Sequence, residues 1–165
     1  MFEKKIVILT NNKSLGSYYL IRQVRSHFNK STVISTHYFE PSLLAILKFF
    51  KNTYKYLAYR IFFNYKYPFN YKFFPVSKVD LCTKDINGER VEELIKKISP
   101  DIIVFFGTKK INTKILKLCK YTLNIHLGFV PHYRGVSSAL WVTKHNNPHY
   151  YHYCIHKATE KLDEG

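Results

Sequence analysis

Two residues carry the most chemistry for their spacing: Asn124 and His126, in the stretch LNIHLGFVPHYRG from Leu123 to Gly135, with one acid far downstream, Asp163 in LDEG. The stretch starts as an apolar strand and ends as a Pro/Gly loop carrying Arg134. Side chains alternate along a strand, so Asn124 and His126 leave the same face about 7 Å apart. The amide is an uncharged donor, and the imidazole titrates near neutral pH. A donor for an oxyanion beside a base for a nucleophile suits acyl transfer. A histidine on an apolar strand is ordinarily a satisfied core residue. His126 differs in its context, because it closes a strand, follows Asn124 at i−2 and precedes an irregular loop. That places it at the mouth of a sheet.

The elements that must position this pair read as a βαβ series. Lys5 to Leu9, KIVIL, has a buried-strand pattern, and Tyr18 to Phe28 reads as a helix with Leu20, Ile21, Val24 and Phe28 at three-to-four spacing. Ser14 is placed to cap that helix, and Thr32 to Ser35 reads as the second strand. A weak strand follows at Lys78 to Cys82, then an amphipathic helix at Glu89 to Ile98 and a fully buried strand at Asp101 to Phe106. Thr113 to Cys119 reads as a helix, Thr122 to His126 as a strand, Val136 to His145 as a helix, and Tyr150 to His156 as an alternating strand. The pattern predicts an open, mainly parallel α/β sheet, Rossmann-like in layering. Ligands of such sheets bind at the carboxyl ends of the strands. The loops there are TNNKSLG and GTKKIN. Neither GxGxxG nor GxxxxGK[ST] occurs, so a dinucleotide site or P-loop is unsupported.

At 165 residues the chain is one domain's worth, and LDEG closes it without a further strand or helix, which predicts a domain cut short at its C-terminus. The formal charge of +15 favours an anionic partner, although a chain rich in Lys, Asn, Tyr, Phe and Ile carries such a charge by composition as well. Pro41 to Pro75 interleaves lysines and Arg60 with aromatic residues and holds no acid. It reads as an insertion, helical to about Phe63 and then a Pro-punctuated loop. Such a segment could stack bases, touch a membrane surface or pack its rings on protein. Cys82, Cys119 and Cys154 form no CxxC pair, which signals neither a disulfide framework nor a zinc site and points to a reducing cytoplasm. The N-terminus reads as a first strand and not a signal peptide, and no run of about 20 apolar residues predicts a spanning helix. His145, His149, His152 and His156 cluster late in the chain, with His152 and His156 expected on one strand face. No HExxH accompanies them, and no metal is expected. GxSxG is absent, and Cys154 within an apolar strand reads as inert.

NIHLGFVPHYRG, a Trp-containing helix and then CIHKATEKLDEG together resemble the catalytic domain of the N10-formyltetrahydrofolate-dependent formyltransferases. That family's signature is Asn-x-His, a Pro/Arg-Gly loop, and an Asp in an LDxG-like turn. Asn124, His126 and Asp163 fit it, with His126 and Asp163 separated by 37 positions. DIIVFFGTKKINTKIL resembles the strand and folate-side loop preceding the signature. The similarity is sharp over residues 100–165 and architectural over 1–40; the insertion at 41–75 departs from it.

The resemblance implies transfer of a formyl group from N10-formyltetrahydrofolate to a primary amine. In that reading Asn124 donates to the tetrahedral oxyanion, His126 is the base for the amine proton, and Asp163 orients His126. By matched position the folate pocket would involve Thr108, Lys109, Lys110 and Ile111, and the backbone near Thr159 and Glu160. Asn11, Asn12, Lys13 and Arg134 are candidates for the acceptor's anionic part. HLGFVPHYRG with Trp141 and the turn Asn146 to Pro148 looks most similar to enzymes that formylate a dTDP-linked 4-amino-4,6-dideoxy sugar for O-antigen and other surface polysaccharides. A cytoplasmic homodimer is implied. Methionyl-tRNA formylation is the first alternative, with the basic insertion on the acceptor stem. A non-catalytic fragment that binds folate or a partner chain is the second.

Overall fold

In a computed structural model the described residues are 2–11, 15–36 and 78–164. They form a six-stranded sheet with flanking helices. The elements in chain order are β1 (Phe2–Thr10), α1 (Leu15–His27), β2 (Phe28–Ser35), β3 (Leu81–Cys82), α2 (Glu89–Ile98), β4 (Ile102–Phe106), α3 (Thr113–Leu116), β5 (Tyr121–His126), α4 (Ser138–Lys144), a 3₁₀ turn (Pro148–Tyr150) and β6 (Cys154–Lys157). The sheet order is β3-β2-β1-β4-β5-β6. Neighbours from β3 to β5 pair in parallel, and β6 pairs antiparallel with β5. The chain leaves β1 toward one edge and returns at β4 to build the other, so the switch point lies between β1 and β4.

Alternation along β1 divides the core between the two faces. Val7 and Leu9 join Ile103, Phe105 and the α2 residues Val91 and Ile95, whereas Ile6 and Ile8 join Val33 and the α1 residue Ile21. These side chains are almost wholly buried, and each contributes about 1.5–3 kcal/mol relative to exposure. Helices on both faces account for the unbroken apolar run at β1, as expected for parallel strands covered twice.

Several boundaries differ from the sequence expectation, each with a local cause. Helix α1 ends at His27, where Ser26 Oγ donates to the Gln23 carbonyl at 2.8 Å and His27 Nδ1 lies 2.9 Å from it, occupying an acceptor of the last turn. Phe28 therefore starts β2, paired with Phe2, instead of ending the helix. Strand β3 is two residues long: Asp80 Oδ2 accepts from Val33 N–H at 2.8 Å and from Arg25 Nη2 at 3.2 Å, so a side chain does part of the strand's pairing. Asp101 stays outside β4, its carboxylate accepting from Lys5 N–H at 2.8 Å. Helix α3 is one turn, capped by Asn112 Oδ1, which accepts from Ile115 N–H at 2.9 Å. Helix α4 starts at Ser138 because Gly135 (φ 80°) and Ser137 (φ 59°) are left-handed. Residues 150–153 are not strand, so His152 does not share the β6 face with His156. The expected cap Ser14 and the insertion at 41–75 lie outside the described residues.

Candidate functional site

The strand register creates the site. β5 and β6 pair Asn124 with His156 and His126 with Cys154. Residues opposite each other in an antiparallel pair share a face, so Asn124, His126 and His156 meet on one side of the sheet. Asn124 and His126 lie at the carboxyl end of β5, as a ligand site in this topology requires. The turn after β6 then delivers Asp163 with φ 48°, a left-handed conformation that Asp tolerates better than most residues.

Asp163 is buried and is the hub of the cluster. Its Oδ1 accepts from Asn124 Nδ2 at 2.9 Å, and its Oδ2 accepts from Gly135 N–H at 2.7 Å. His126 Nδ1 lies 3.5 Å from Oδ2, and His156 Nε2 lies 3.6 Å from Oδ1. The two imidazoles meet edge to face with centroids 6.3 Å apart. His156 Nδ1 lies 3.1 Å from the Lys157 carbonyl and Nε2 lies 3.1 Å from Asn124 Nδ2. A carbonyl can only accept, so the partners assign the proton to Nδ1 and leave Nε2 as an acceptor. Both amide hydrogens of Asn124 are thus engaged, one by Asp163 and one by His156.

The loop after β5 closes over His126. His126 Nε2 donates to the Tyr133 carbonyl at 2.9 Å, and Ser138 Oγ is 3.3 Å from the same nitrogen. Ser138 is buried and donates to the Gly135 carbonyl at 3.1 Å. Gly128 makes the closure possible. A Cβ there would overlap His126 Nε2 and come within 2.6 Å of both Ser138 Oγ and the Tyr133 carbonyl.

The other expected site residues are placed unequally. Lys109 and Lys110 are exposed and Thr108 is half-buried in the loop after β4. Ile111 is 3% exposed, and its side chain packs in the core with Ile115 and Val91. Thr159 and Glu160 are exposed, with Thr159 Oγ1 donating to the Lys161 carbonyl at 3.1 Å. Asn11 lies beside Gly107 (φ 63°), its Nδ2 3.3 Å from where a Cβ would stand, so the loops after β1 and β4 meet at the switch point. Arg134 is exposed between Tyr133 and Gly135. Asn12 and Lys13 lie outside the described residues. His156, Gly128 and Ser138 were not singled out as site residues from the sequence. The signal for His156 was its seven-residue spacing to Asp163, which becomes readable only with the β5–β6 register. Among the described residues no group of three or more His, Cys, Asp or Glu side chains is placed to hold a metal ion.

No protein-family model matches the chain. Over 84 residues it is 36% identical to the bifunctional polymyxin resistance protein ArnA of Wigglesworthia glossinidia brevipalpis, a match covering 50% of this chain and 13% of that protein. Glycinamide ribonucleotide transformylase 1 from Symbiobacterium toebii superposes with a TM-score of 0.65 at 15% identity, covering 99% of this chain and 69% of that one. A sugar N-formyltransferase from a Shewanella species superposes with a TM-score of 0.56 at 16% identity, covering 98% and 54%. The chain thus spans about half to two-thirds of these solved structures and a small part of the ArnA relative. The formyltransferase resemblance read from Asn124, His126 and Asp163 is matched by the architecture, and the chain carries the Rossmann-like fold of the formyltransferase catalytic domain.

Proposed function

We propose that this protein is an N-formyltransferase that moves a formyl group from N10-formyltetrahydrofolate to the primary amine of a nucleotide-linked amino sugar, of the dTDP-4-amino-4,6-dideoxyglucose type. The observation that carries the reading is the convergence of Asn124, His126 and Asp163 at the carboxyl end of β5. The 36% likeness to a polymyxin resistance protein and the fold shared with a sugar N-formyltransferase support a sugar amine as acceptor.

The chemistry follows from the groups present. The neutral amine attacks the formyl carbon, and the carbonyl oxygen becomes an oxyanion. Asn124 Nδ2 turns one hydrogen from His156 to that oxyanion while Asp163 keeps the other. His126 takes the proton released by the amine and returns it to N10 of the folate as that nitrogen leaves. Asp163 fixes both partners, since its two oxygens face Asn124 and His126. Exposed Lys109 and Lys110 would meet the folate's carboxylates, and Arg134 the acceptor's phosphates. A role in surface-polysaccharide synthesis within the cytoplasm follows from this acceptor.

The test is formyl transfer by the whole protein against a panel of amino-sugar nucleotides and methionyl-tRNA, read as mass gain on the amine. Transfer to a sugar nucleotide with shallow salt dependence supports the reading. Transfer to tRNA with steep salt dependence would assign the +15 charge to nucleic acid instead. Absence of transfer to every amine would leave a binding fragment.

A further inference from the structure

Ser138 opens α4 with its hydroxyl turned inward. A serine at a helix start ordinarily caps a backbone N–H. Ser137, at the cap position, makes no side-chain cap, and Ser138 Oγ faces the preceding loop and His126 instead. The left-handed residues Gly135 and Ser137 turn the chain there, and Ser138 is 2% exposed. Three groups lie within hydrogen-bond reach of Ser138 Oγ: the Gly135 carbonyl at 3.1 Å, His126 Nε2 at 3.3 Å and the Tyr133 carbonyl at 3.4 Å.

These partners differ in kind. A carbonyl only accepts, whereas an imidazole nitrogen donates when protonated and accepts when bare. A hydroxyl has one hydrogen and two lone pairs, so Ser138 can serve His126 in either state. With its hydrogen on the Gly135 carbonyl, Oγ accepts from Nε2–H. With its hydrogen on Nε2, the same atom stabilises a bare nitrogen. Among the described residues the other group at Nε2 is the Tyr133 carbonyl at 2.9 Å, which suits only a protonated nitrogen. The far side of the ring has its own demand. Nδ1 faces Asp163 Oδ2 at 3.5 Å, so a neutral ring is better placed with its proton on Nδ1. His156 meets the ring edge to face, and its own nitrogens are taken by Asn124 and the Lys157 carbonyl. The contacts close a circuit from Nδ1 through Asp163, the Gly135 peptide and Ser138 back to Nε2.

We propose that Ser138 is a positioning residue that selects the tautomer of His126. When the ring is neutral, the hydroxyl turns from the Gly135 carbonyl to Nε2, and the proton stays on Nδ1 toward Asp163. Nε2 is then the nitrogen that keeps its lone pair for an incoming proton. When Nε2 gains that proton, the hydroxyl turns back to Gly135 and Nε2–H donates to the Tyr133 carbonyl, which is the geometry seen here. One proton is gained at Nε2 and one hydroxyl rotates; no bond to Ser138 breaks. The use of this switch in turnover rests on the formyl-transfer reading, whereas the tautomer itself does not.

The test reads the tautomer on the protein alone. The whole protein is labelled with ¹⁵N-histidine, and the ring nitrogens are followed by NMR at pH about 9, well above the ordinary imidazole value. A bare ring nitrogen resonates far downfield of a protonated one, and the His126 signals are those lost in His126→Gln. Wild type should show a protonated Nδ1 and a bare Nε2. In Ser138→Ala the balance should move about five-fold toward Nε2–H, the effect of one neutral hydrogen bond. Its kcat for an accepted amine should fall by about the same factor, with circular dichroism unchanged. Ser138→Thr, which keeps the hydroxyl, should restore the wild-type tautomer. A protonated Nε2 in the neutral wild-type ring, or the same tautomer balance in wild type and Ser138→Ala, would overturn the assignment. A tautomer shift with no formyl transfer to any amine supports the role of Ser138 and removes the activity. Formyl transfer with no tautomer shift overturns that role and leaves the activity standing.

Discussion

His126 Nε2 lies 2.9 Å from the backbone carbonyl of Tyr133, so the loop that carries Arg134 holds one of the two nitrogens of the proposed base. While that bond persists, Nε2 already bears a proton and cannot take another. Proton removal from an amine therefore requires the loop to release Nε2, or Nδ1 to serve on the Asp163 side.

Gly128 sets the geometry of this closure. Gly128→Ala places a methyl group where His126 Nε2, Ser138 Oγ and the Tyr133 carbonyl already converge. The loop or the imidazole must move, and a displacement of about 1 Å in a catalytic group can cost about 100-fold. Steady-state kinetics should show a fall of that order in kcat with far-UV circular dichroism unchanged. Wild-type kcat in Gly128→Ala would mean that the closed loop has no part in turnover.

Asp163→Asn is isosteric but replaces one acceptor oxygen by a donor. Whichever way the new amide turns, it faces either the Asn124 amide or the Gly135 N–H, both donors to Asp163 in the native chain. A buried donor left without an acceptor costs about 1–3 kcal/mol. Both thermal stability and turnover should fall, and Asp163→Ala, which leaves Asn124 and Gly135 unsatisfied, should be no better. Retention of native stability in Asp163→Asn would show that Asp163 is not the hub.

The mainly parallel, doubly covered sheet around these residues was legible because β1 and β4 are continuous apolar runs, KIVIL and IIVFF. Such runs are characteristic of strands buried on both faces. Asn124, His126 and Asp163 were legible as a motif, and the structure brings all three within contact. His156 was not, because the alternating pattern suggested a strand from Tyr150, whereas pairing starts at Cys154. Residues 148–150 form a turn, and the His152 ring lies 5.8 Å from Phe129 instead. Register is a property of two strands together, and neither sequence alone states it. The inward turn of Ile111 was not legible either: it sits at a loop position next to exposed lysines, yet its side chain lies in the core.

His156 acts through Asn124 in this arrangement, since its Nε2 holds one of the amide hydrogens at 3.1 Å. His156→Ala should lower kcat about ten-fold by loosening that amide. Asn124→Ala should cost more, about 100-fold or above, as loss of an oxyanion donor typically does. In the double variant the effects should not add, because removing Asn124 already removes what His156 positions. Additive losses would give His156 an independent role in the chemistry.

Asp101 anchors the start of β1 to the start of β4. Its carboxylate accepts from Lys5 N–H at 2.8 Å and from Lys4 Nζ at 3.2 Å. The backbone hydrogen bond from Lys5, and then that from Lys4, hold its carboxyl below the ordinary carboxylate value. A group lowered on folding stabilises above its unfolded pKa and loses that contribution as pH falls through the folded one. Asp101→Asn should therefore melt below wild type at neutral pH, with the gap closing as pH falls below about 4. A gap that stays constant across that range would show that the ionised form matters little.

The most direct test of the central claim follows an isotopically labelled formyl group from N10-formyltetrahydrofolate. Whole wild-type protein and Asn124→Ala are compared with a dTDP-linked 4-amino sugar as acceptor. The predicted result is label in a sugar formamide with wild type, appearing about 100-fold more slowly with the folded Asn124→Ala variant. Label that never reaches an amine, or that reaches it equally fast in both proteins, would contradict formyl transfer at the Asn124–His126–Asp163 site.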